Sequence, residues 1–522
     1  MALGDEKHKT IYQELVNILG EDYVSDDPSV LETYYRCGLS AALSCKGRAE
    51  FIVLPGSTED VQQIIRLANR YKFPYSTTGS GMRMYTCNAV EGYPYWCFVD
   101  PKRMNSYEID TKNMYAIVQP YVTIGQIQGE AMKYGLHSEI PGSGSQSSML
   151  AHNVAGEVGW TTWRTGSSAR NVLGMEWVLP SGDVLRTGSL ATGGGYWWAE
   201  GPGPDARGIL RGLLPHFGTF GIITRVAVKL FPWPSPRVLR TEGVQPEKKA
   251  FLPKDRFKAY FASYPSLEKK VDAVRELGKA EICGWVMSYA PYDVQQWQAR
   301  SREQYWAEYD YWYEHCQHLL AAGIWGYASE KQLEYEEEVF LDIIKETGGT
   351  LVPDDVYQKL DELLTPNVIR DTYRSRFLRS GGVVFGGSDF DSLQNILKSI
   401  PAQWELLDKF SPPLGDLQHP DKFWPSEFGR YCYPEVDYLR DKSDLYEYEI
   451  ASKIKQAQIE YQMKESVASG KFYFTKMNVL GPAFSNCHIM LAKLKHALDP
   501  NNLANPTRVI DMDEMEKEKV KG

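Results

Sequence analysis

The sequence predicts an α+β protein of two or three domains, on three observations. Residues 51–82, FIVLPGSTEDVQQIIRLANRYKFPYSTTGSGM, read as strand, helix, strand and glycine loop. A second run of small residues extends from Pro141 to Leu185 and closes with an apolar strand and a Pro-Ser-Gly-Asp hairpin. After Pro232-Trp233-Pro234 the chain changes to long charged, aromatic helices between strand segments. At 522 residues and 43% hydrophobic content, the chain is long enough to bury a large core.

In chain order, residues 9–35 read as two helices, the first carrying Ile11, Leu15, Ile18 and Leu19 at helical spacing. Residues 51–54 form a buried strand, and Ser57-Thr58-Glu59-Asp60 opens a helix with Val61, Ile64, Ile65, Leu67 and Ala68 inward. Residues 75–77 form a second strand that runs into a glycine loop, where a parallel sheet places its ligand. Strands follow at 97–100, 106–110 and 116–119, and a helix at 123–134. Gly218–Ile223 feeds a strand over 224–230. Beyond it, helices are expected at 295–320, 390–400 and 444–468, and strands at 281–289 and 381–386. A helix over 488–498 precedes the turn Asp499-Pro500-Asn501-Asn502-Leu503-Ala504-Asn505-Pro506, and a charged tail ends the chain.

Composition narrows the function. A net charge of −10 argues against nucleic-acid binding, which needs a positive footprint. No apolar run is long enough to span a bilayer, and the charged N-terminus lacks a signal-peptide core, so a cytoplasmic protein is expected. The eight cysteines are scattered, with no CxxC pair, which fits reduced thiols better than zinc or a disulfide framework. The 33 tyrosines and 14 tryptophans ease construction of an aromatic pocket.

The small-residue loops carry the chemistry. They offer many backbone N–H groups with little bulk, as an extended phosphate-bearing cofactor requires. Gly142-Ser143-Gly144-Ser145-Gln146-Ser147 imitates a dinucleotide fingerprint, but residues 135–140 make a poor buried strand and no acidic partner follows. The order of the whole set is more specific than this one string. It runs through the 51–82 unit, the 141–147 loop, Asn153–Gly156, Asn171-Val172-Leu173-Gly174, Gly218–Ile223 and the 499–506 turn.

That order, with NVLGMEWVLPSGDVL, GTFGIITRVAVKL and LDPNNLANP, resembles the FAD-binding family of vanillyl-alcohol oxidase and p-cresol methylhydroxylase, the PCMH type. The family includes D-2-hydroxy-acid dehydrogenases and alkyl-dihydroxyacetone-phosphate synthase. The resemblance covers roughly half the chain. It implies an FAD-binding domain of two α+β subdomains (1–235), an inserted α+β cap that holds substrate (236–470), and a C-terminal return (471–522).

It further implies that Thr78, Gly79, Ser80, Gly81 and Met82 cradle the pyrophosphate, and that Pro141, Gly142, Ser143 and Ser147 line the pyrophosphate and ribityl region. Asn153, Gly156, Thr165 and Gly166 would pass close to the flavin or its phosphates. Gly221, Ile222 and Ile223 would flank the adenine end. Members that tether FAD from the phosphate loop use a His where this chain has Met82, so non-covalent FAD is implied, with His419 and cap tyrosines as alternative tethers. The hydroxy-acid branch has a metal signature of which Gly415-Asp416-Leu417-Gln418-His419 is a partial echo, so no metal is expected.

Three candidates for catalysis remain. Arg508, after the Asn-Pro turn, would stabilise negative charge on reduced flavin or form a surface ion pair. His488 is a general base or a structural helix-start histidine, and Tyr473 holds a substrate oxygen or packs in the core. Arg370, Arg374, Arg376 and Arg430 offer carboxylate binding or solvated faces. The expected activity is oxidation of a small aromatic or phenolic alcohol or alkylphenol, with an unspecified electron acceptor. A 2-hydroxy-acid dehydrogenase and a non-redox flavin protein are the alternatives. The aromatic cap suggests a homodimer.

Overall fold

The computed structural model describes residues 4–34, 48–81, 90, 92–140, 142, 144–193, 197–198, 205–211, 217–244, 249–365, 383–384, 390–412, 419–439, 445–465 and 476–515. It is built of mixed helices and sheets, as the sequence predicts.

The first sheet orders its strands Val24–Ser25, Arg48–Val53, Tyr95–Val99 and Tyr75–Thr77. Arg48–Val53 and Tyr75–Thr77 both run parallel to Tyr95–Val99, so the βαβ unit closes around a third, later strand. The helix between them, Thr58–Tyr71, starts where the Ser57 hydroxyl accepts from the Asp60 amide. Its apolar stripe of Val61, Ile64, Ile65, Leu67 and Ala68 packs with Ile11, Leu15 and Leu19 of helix Asp5–Leu19. The C-terminal return joins this core through Leu503 and Ala504. It is held edge-on to Tyr75, whose amide donates to Leu503 O (2.9 Å) and whose carbonyl accepts from Asn505 N (2.7 Å).

The second sheet is antiparallel, in the order Tyr107–Asp110, Tyr115–Val118, Ile222–Lys229, Val172–Val178, Val184–Arg186. Val172–Val178 is buried at every residue, because helices and the first sheet's helix cover it.

The third sheet is also antiparallel, in the order Trp285–Tyr289, Leu319–Trp325, Phe257–Ser263, Thr350–Leu351. One face packs Val286, Leu320, Ala322 and Ile324 against Val271, Val274, Phe340, Ile396 and Ile400 of three covering helices. The other carries Trp285, Met287, Tyr289 and Trp325 into a cluster with Met132, Ile140, Val158, Trp160 and Trp233. The inner face of this sheet therefore shares one core with the loops of residues 132–160.

One expected element is replaced. The helix expected over 295–320 is three short helices, Pro291–Gln298, Arg302–Ala307 and Tyr309–Cys316, followed by strand Leu319–Trp325. The Ser301 hydroxyl accepts from Gln304 N and restarts the helix, and His318 turns the chain with a φ of 52°. The run Leu319-Leu320-Ala321-Ala322-Gly323 is central strand because both its edges are paired.

Candidate functional site

The glycine loops converge. Ser80 Oγ donates to Gln146 O at 2.8 Å, joining the loop at 78–81 to that at 142–147. A Cβ on Gly79 would stand 2.7 Å from the Ser148 Cβ and 3.1 Å from that of Ala151. Only glycine lets these segments meet so closely. Gly142 presses against the Trp424 ring, where a Cβ would lie 2.9 Å away. A Cβ on Gly218 would lie 3.2 Å from Thr77 Cγ2, so the 218–221 turn closes the same end. Gly221, with a φ of 107°, turns into the strand where any side chain would strike Val178 O.

The C-terminal return is pinned here by a buried lysine. Lys495 Nζ donates to Thr219 O (2.8 Å), Ala504 O (2.7 Å) and the Asp499 carboxylate (2.5 Å). Burial pulls the Lys495 ammonium below the usual lysine range, and Asp499 offsets part of that. Asp499 also accepts from the Leu503 and Ala504 amides, which fixes the turn.

Several buried polar atoms beside these loops have no hydrogen-bond partner among the described residues: Asn153 Oδ1, Asn171 Nδ2 and Thr219 Oγ1. Interiors leave few such atoms unpaired. Loops stripped of side chains, touching one another and edged by unsatisfied amides and a hydroxyl, fit an extended cofactor with phosphate and carbonyl groups.

The expected site residues fall into three sets. Thr78, Gly79, Ser80, Gly81, Gly142, Ser147 and Asn153 lie in or beside the converging loops, and Gly156 ends helix Met149–Ala155 with a φ of 72°. Ile222 and Ile223 pair with Val178 and Trp177 along one edge, while the 115–118 strand joins only from Val226. Thr165 and Gly166 lie against the hairpin of strands Phe423–Ser426 and Tyr431–Pro434. A Cβ on Gly166 would meet Glu427 Oε1 at 2.5 Å, and Ser167 N donates to the Tyr431 hydroxyl at 2.8 Å. Met82, Pro141, Ser143 and Tyr473 lie outside the described residues, as do Arg370, Arg374 and Arg376. Arg508 stacks its guanidinium 4.6 Å over the Phe217 ring, beside the 218–221 turn. His488 is buried against Gly481 at the start of helix Cys487–Leu498, with Nδ1 unpaired among the described residues. His419 stacks on Trp404 and bonds Asp408, which explains its position without a cofactor.

Sequence reasoning missed the opposite wall. Trp160 lies 5.7 Å from Trp424, 5.8 Å from Tyr289 and 6.3 Å from Trp285, ring centre to ring centre. Trp424 Nε1 donates to Glu435 at 3.0 Å. Behind it Lys422 meets Asp293 (3.0 Å) and Glu435 (2.8 Å), and Tyr292 O–H donates to Asp437. Burial, then the neighbouring Glu435, pushes the Asp437 carboxyl well up, while its carboxylate neighbours outweigh burial and hold Lys422 charged. The preceding residue, Asp421, belongs to a second buried cluster, with Lys270 and His318 each at 2.6 Å. No local motif marks these residues, because the partners Asp293, Tyr292, Lys270 and His318 all lie more than 100 positions away. Among the described residues, no group of three or more His, Cys, Asp and Glu is arranged to hold a metal ion.

The family model of the FAD binding domain matches residues 49–188, the segment holding the parallel strands of the first sheet and the two glycine loops. An uncharacterised FAD-linked oxidoreductase of Mycobacterium tuberculosis is 31% identical over 181 residues, 34% of this chain and 37% of that protein. The 4-cresol dehydrogenase flavoprotein subunit of Pseudomonas putida is 25% identical over 357 residues, 64% of this chain and 63% of its own. The chain thus spans about a third to two thirds of these relatives. The crystal structure of p-cresol methylhydroxylase with substrate bound superposes with a TM-score of 0.77, 20% identity and 98% of both chains covered. Residues 49–188 are accordingly an FAD binding domain, the chain as a whole shares the fold of PCMH-type flavoproteins, and FAD is its cofactor.

Proposed function

We propose that the protein is an FAD-dependent oxidoreductase that oxidises a small aromatic or phenolic alcohol, or an alkylphenol, at a CH–OH or benzylic C–H group. The observation that carries this reading is the wall of Trp160, Trp285, Tyr289 and Trp424, which presses on Gly142 of the cofactor loop. An aromatic ring held there gains offset and edge-to-face contacts as well as burial.

The loops at 78–81 and 142–147 and the 218–221 turn would hold FAD through main-chain groups. When bound, FAD accepts the hydride removed from the substrate carbon. The chain's own residues do the rest. The aromatic wall orients the ring and excludes water. Tyr473 or His488 takes or shares the substrate hydroxyl proton. Arg508, next to the 218–221 turn, supplies a fixed cation toward the negative charge the cofactor gains. The relative acting on 4-cresol supports the substrate class, as does the fold shared with p-cresol methylhydroxylase.

The test is product analysis. Protein reconstituted with FAD is incubated with a benzylic alcohol and an artificial electron acceptor. Formation of the aldehyde in proportion to acceptor reduced is expected. No product from benzylic alcohols or alkylphenols, with FAD bound, overturns the reading.

A further inference from the structure

Directly beside the cofactor loops lies an ionisable pair that the proposed chemistry does not use. Glu139 precedes the 140–147 segment, and His152 precedes Asn153 on helix Met149–Ala155. His152 Nε2 donates to Glu139 Oε2 at 2.7 Å, with both side chains 1% exposed. The remaining polar atoms of the pair, His152 Nδ1 and Glu139 Oε1, have no partner among the described residues. Glu139 is wedged in place: a Cβ on Gly159 would stand 1.9 Å from its Oε1. His152 is fixed by its helix, whose Ser148 and Ala151 touch Gly79 of the phosphate loop.

A carboxylate bonded to one imidazole nitrogen sets the tautomer, leaves a lone pair on the other and stabilises the imidazolium when that nitrogen gains a proton. We propose that Glu139 and His152 are the flavin site's proton-holding pair: Glu139 fixes the imidazole through Nε2, and Nδ1 takes up one proton as bound FAD is reduced. The proposal rests on FAD occupying the loops above. The electrons come from substrate, or from dithionite in the test. The proton comes from water, whose O–H bond breaks as the N–H bond forms on the protein. Negative charge added to a dry interior raises the proton affinity of the nearest buried base.

Other charges around the pair leave it this role. His137 is neutral, its imidazole pushed down to about 4 by burial. Glu157 is buried after the helix. Of the elements packed on the helix, Ser168–Asn171 brings Arg170, whose Nη1 donates to both carboxylate oxygens of Glu427. Strand Ile222–Lys229 brings Arg225, exposed, and Lys229, half-buried.

The test is the midpoint potential of the FAD holoprotein between about pH 6 and pH 9, followed anaerobically with dithionite and indicator dyes. One extra proton per two electrons steepens the potential by about 30 mV per pH unit. The wild type is expected to show such a steeper segment, His152→Gln to lack it, and Glu139→Gln to move it to lower pH. A purely structural pair would change stability or FAD affinity and leave the slope alone. Should His152→Gln lose FAD, the wild type decides: a line of constant slope overturns the proposal. Parallel wild-type and His152→Gln lines overturn it equally. A wild type that binds no FAD removes the cofactor site itself, a failure seen in the absorption spectrum before any potential is measured.

Discussion

The two walls of the site are made from different materials. The cofactor wall is main chain: Gly79, Gly142 and Gly221 stand where any side chain would collide, and the loops meet through Ser80 and Gln146. The opposite wall is side chain: four aromatic rings, of which Trp424 is held by Glu435, itself paired with Lys422, which also meets Asp293 and Asp437. A wall of backbone can grip a cofactor by features that vary little with sequence. On the proposed function, a wall of side chains carries the selectivity, and each residue in it can be exchanged singly.

The largest expected effect breaks the cofactor wall at its pin. Lys495→Met leaves Asp499 without its cation partner in the interior beside the 218–221 turn. A loss of about 3–5 kcal/mol is expected, read from the urea unfolding midpoint, with FAD retention falling in parallel. Unchanged stability would show that Lys495 is not what holds the return in place.

Trp424→Ala breaks the other wall. Removing the ring costs about 3–4 kcal/mol by the cavity it leaves. It is expected to leave FAD bound while slowing flavin reduction by aromatic substrates, as followed in anaerobic stopped flow. Loss of FAD with unchanged substrate reduction in the residual holoprotein would reverse the assignment of the two walls.

His137 sits on the seam, 5.5 Å from Trp325 and 6.0 Å from Trp233. Burial lowers its folded-state value to about 4, below the ordinary 6.5, so the unfolded chain binds the proton more readily. Stability is therefore fully present above pH 6.5 and falls toward pH 4, by about 3 kcal/mol for this residue. His137→Phe is expected to flatten that slope in urea titrations across the window. An unchanged slope would mean His137 is not buried neutral.

The smallest effect sharpens the seam. Arg170 and Glu427 tie the two sides at 2.7–2.8 Å, but the arginine side chain is 60% exposed. Arg170→Met is expected to cost below about 1 kcal/mol in the same assay. A larger loss would make the pair a structural clamp.

The contrast also explains what could be read from the sequence. The cofactor wall was legible because its parts are local: a capped helix after a short strand, glycines at turns, and a fixed order of loops. The helix Thr58–Tyr71, the strands Arg48–Val53, Tyr75–Thr77 and Tyr95–Val99, and the Val172–Val178 strand stand close to where apolar pattern and turn residues placed them, whereas strand Val24–Ser25 falls in a segment read as helical. The strand Leu319–Trp325 was not legible, since a run of Leu, Ala and Ile has no period of its own and is strand only because Phe257–Ser263 and Trp285–Tyr289 flank it. The aromatic wall was hidden for the same reason: Trp160 meets Trp285 and Trp424 only after folding, and Trp424 looks like any core tryptophan. Glu139 and His152 are 13 residues apart across a loop and a helix start, with no spacing that links them.

The most direct test of the account is anaerobic mixing of the FAD holoprotein with matched series of 4-alkylphenols, benzylic alcohols and 2-hydroxy acids, following the yellow flavin band. Bleaching by the phenols or benzylic alcohols, with lactate and glycolate inert, is the predicted result. Bleaching by 2-hydroxy acids alone, or by none of the series while FAD stays bound, would contradict it.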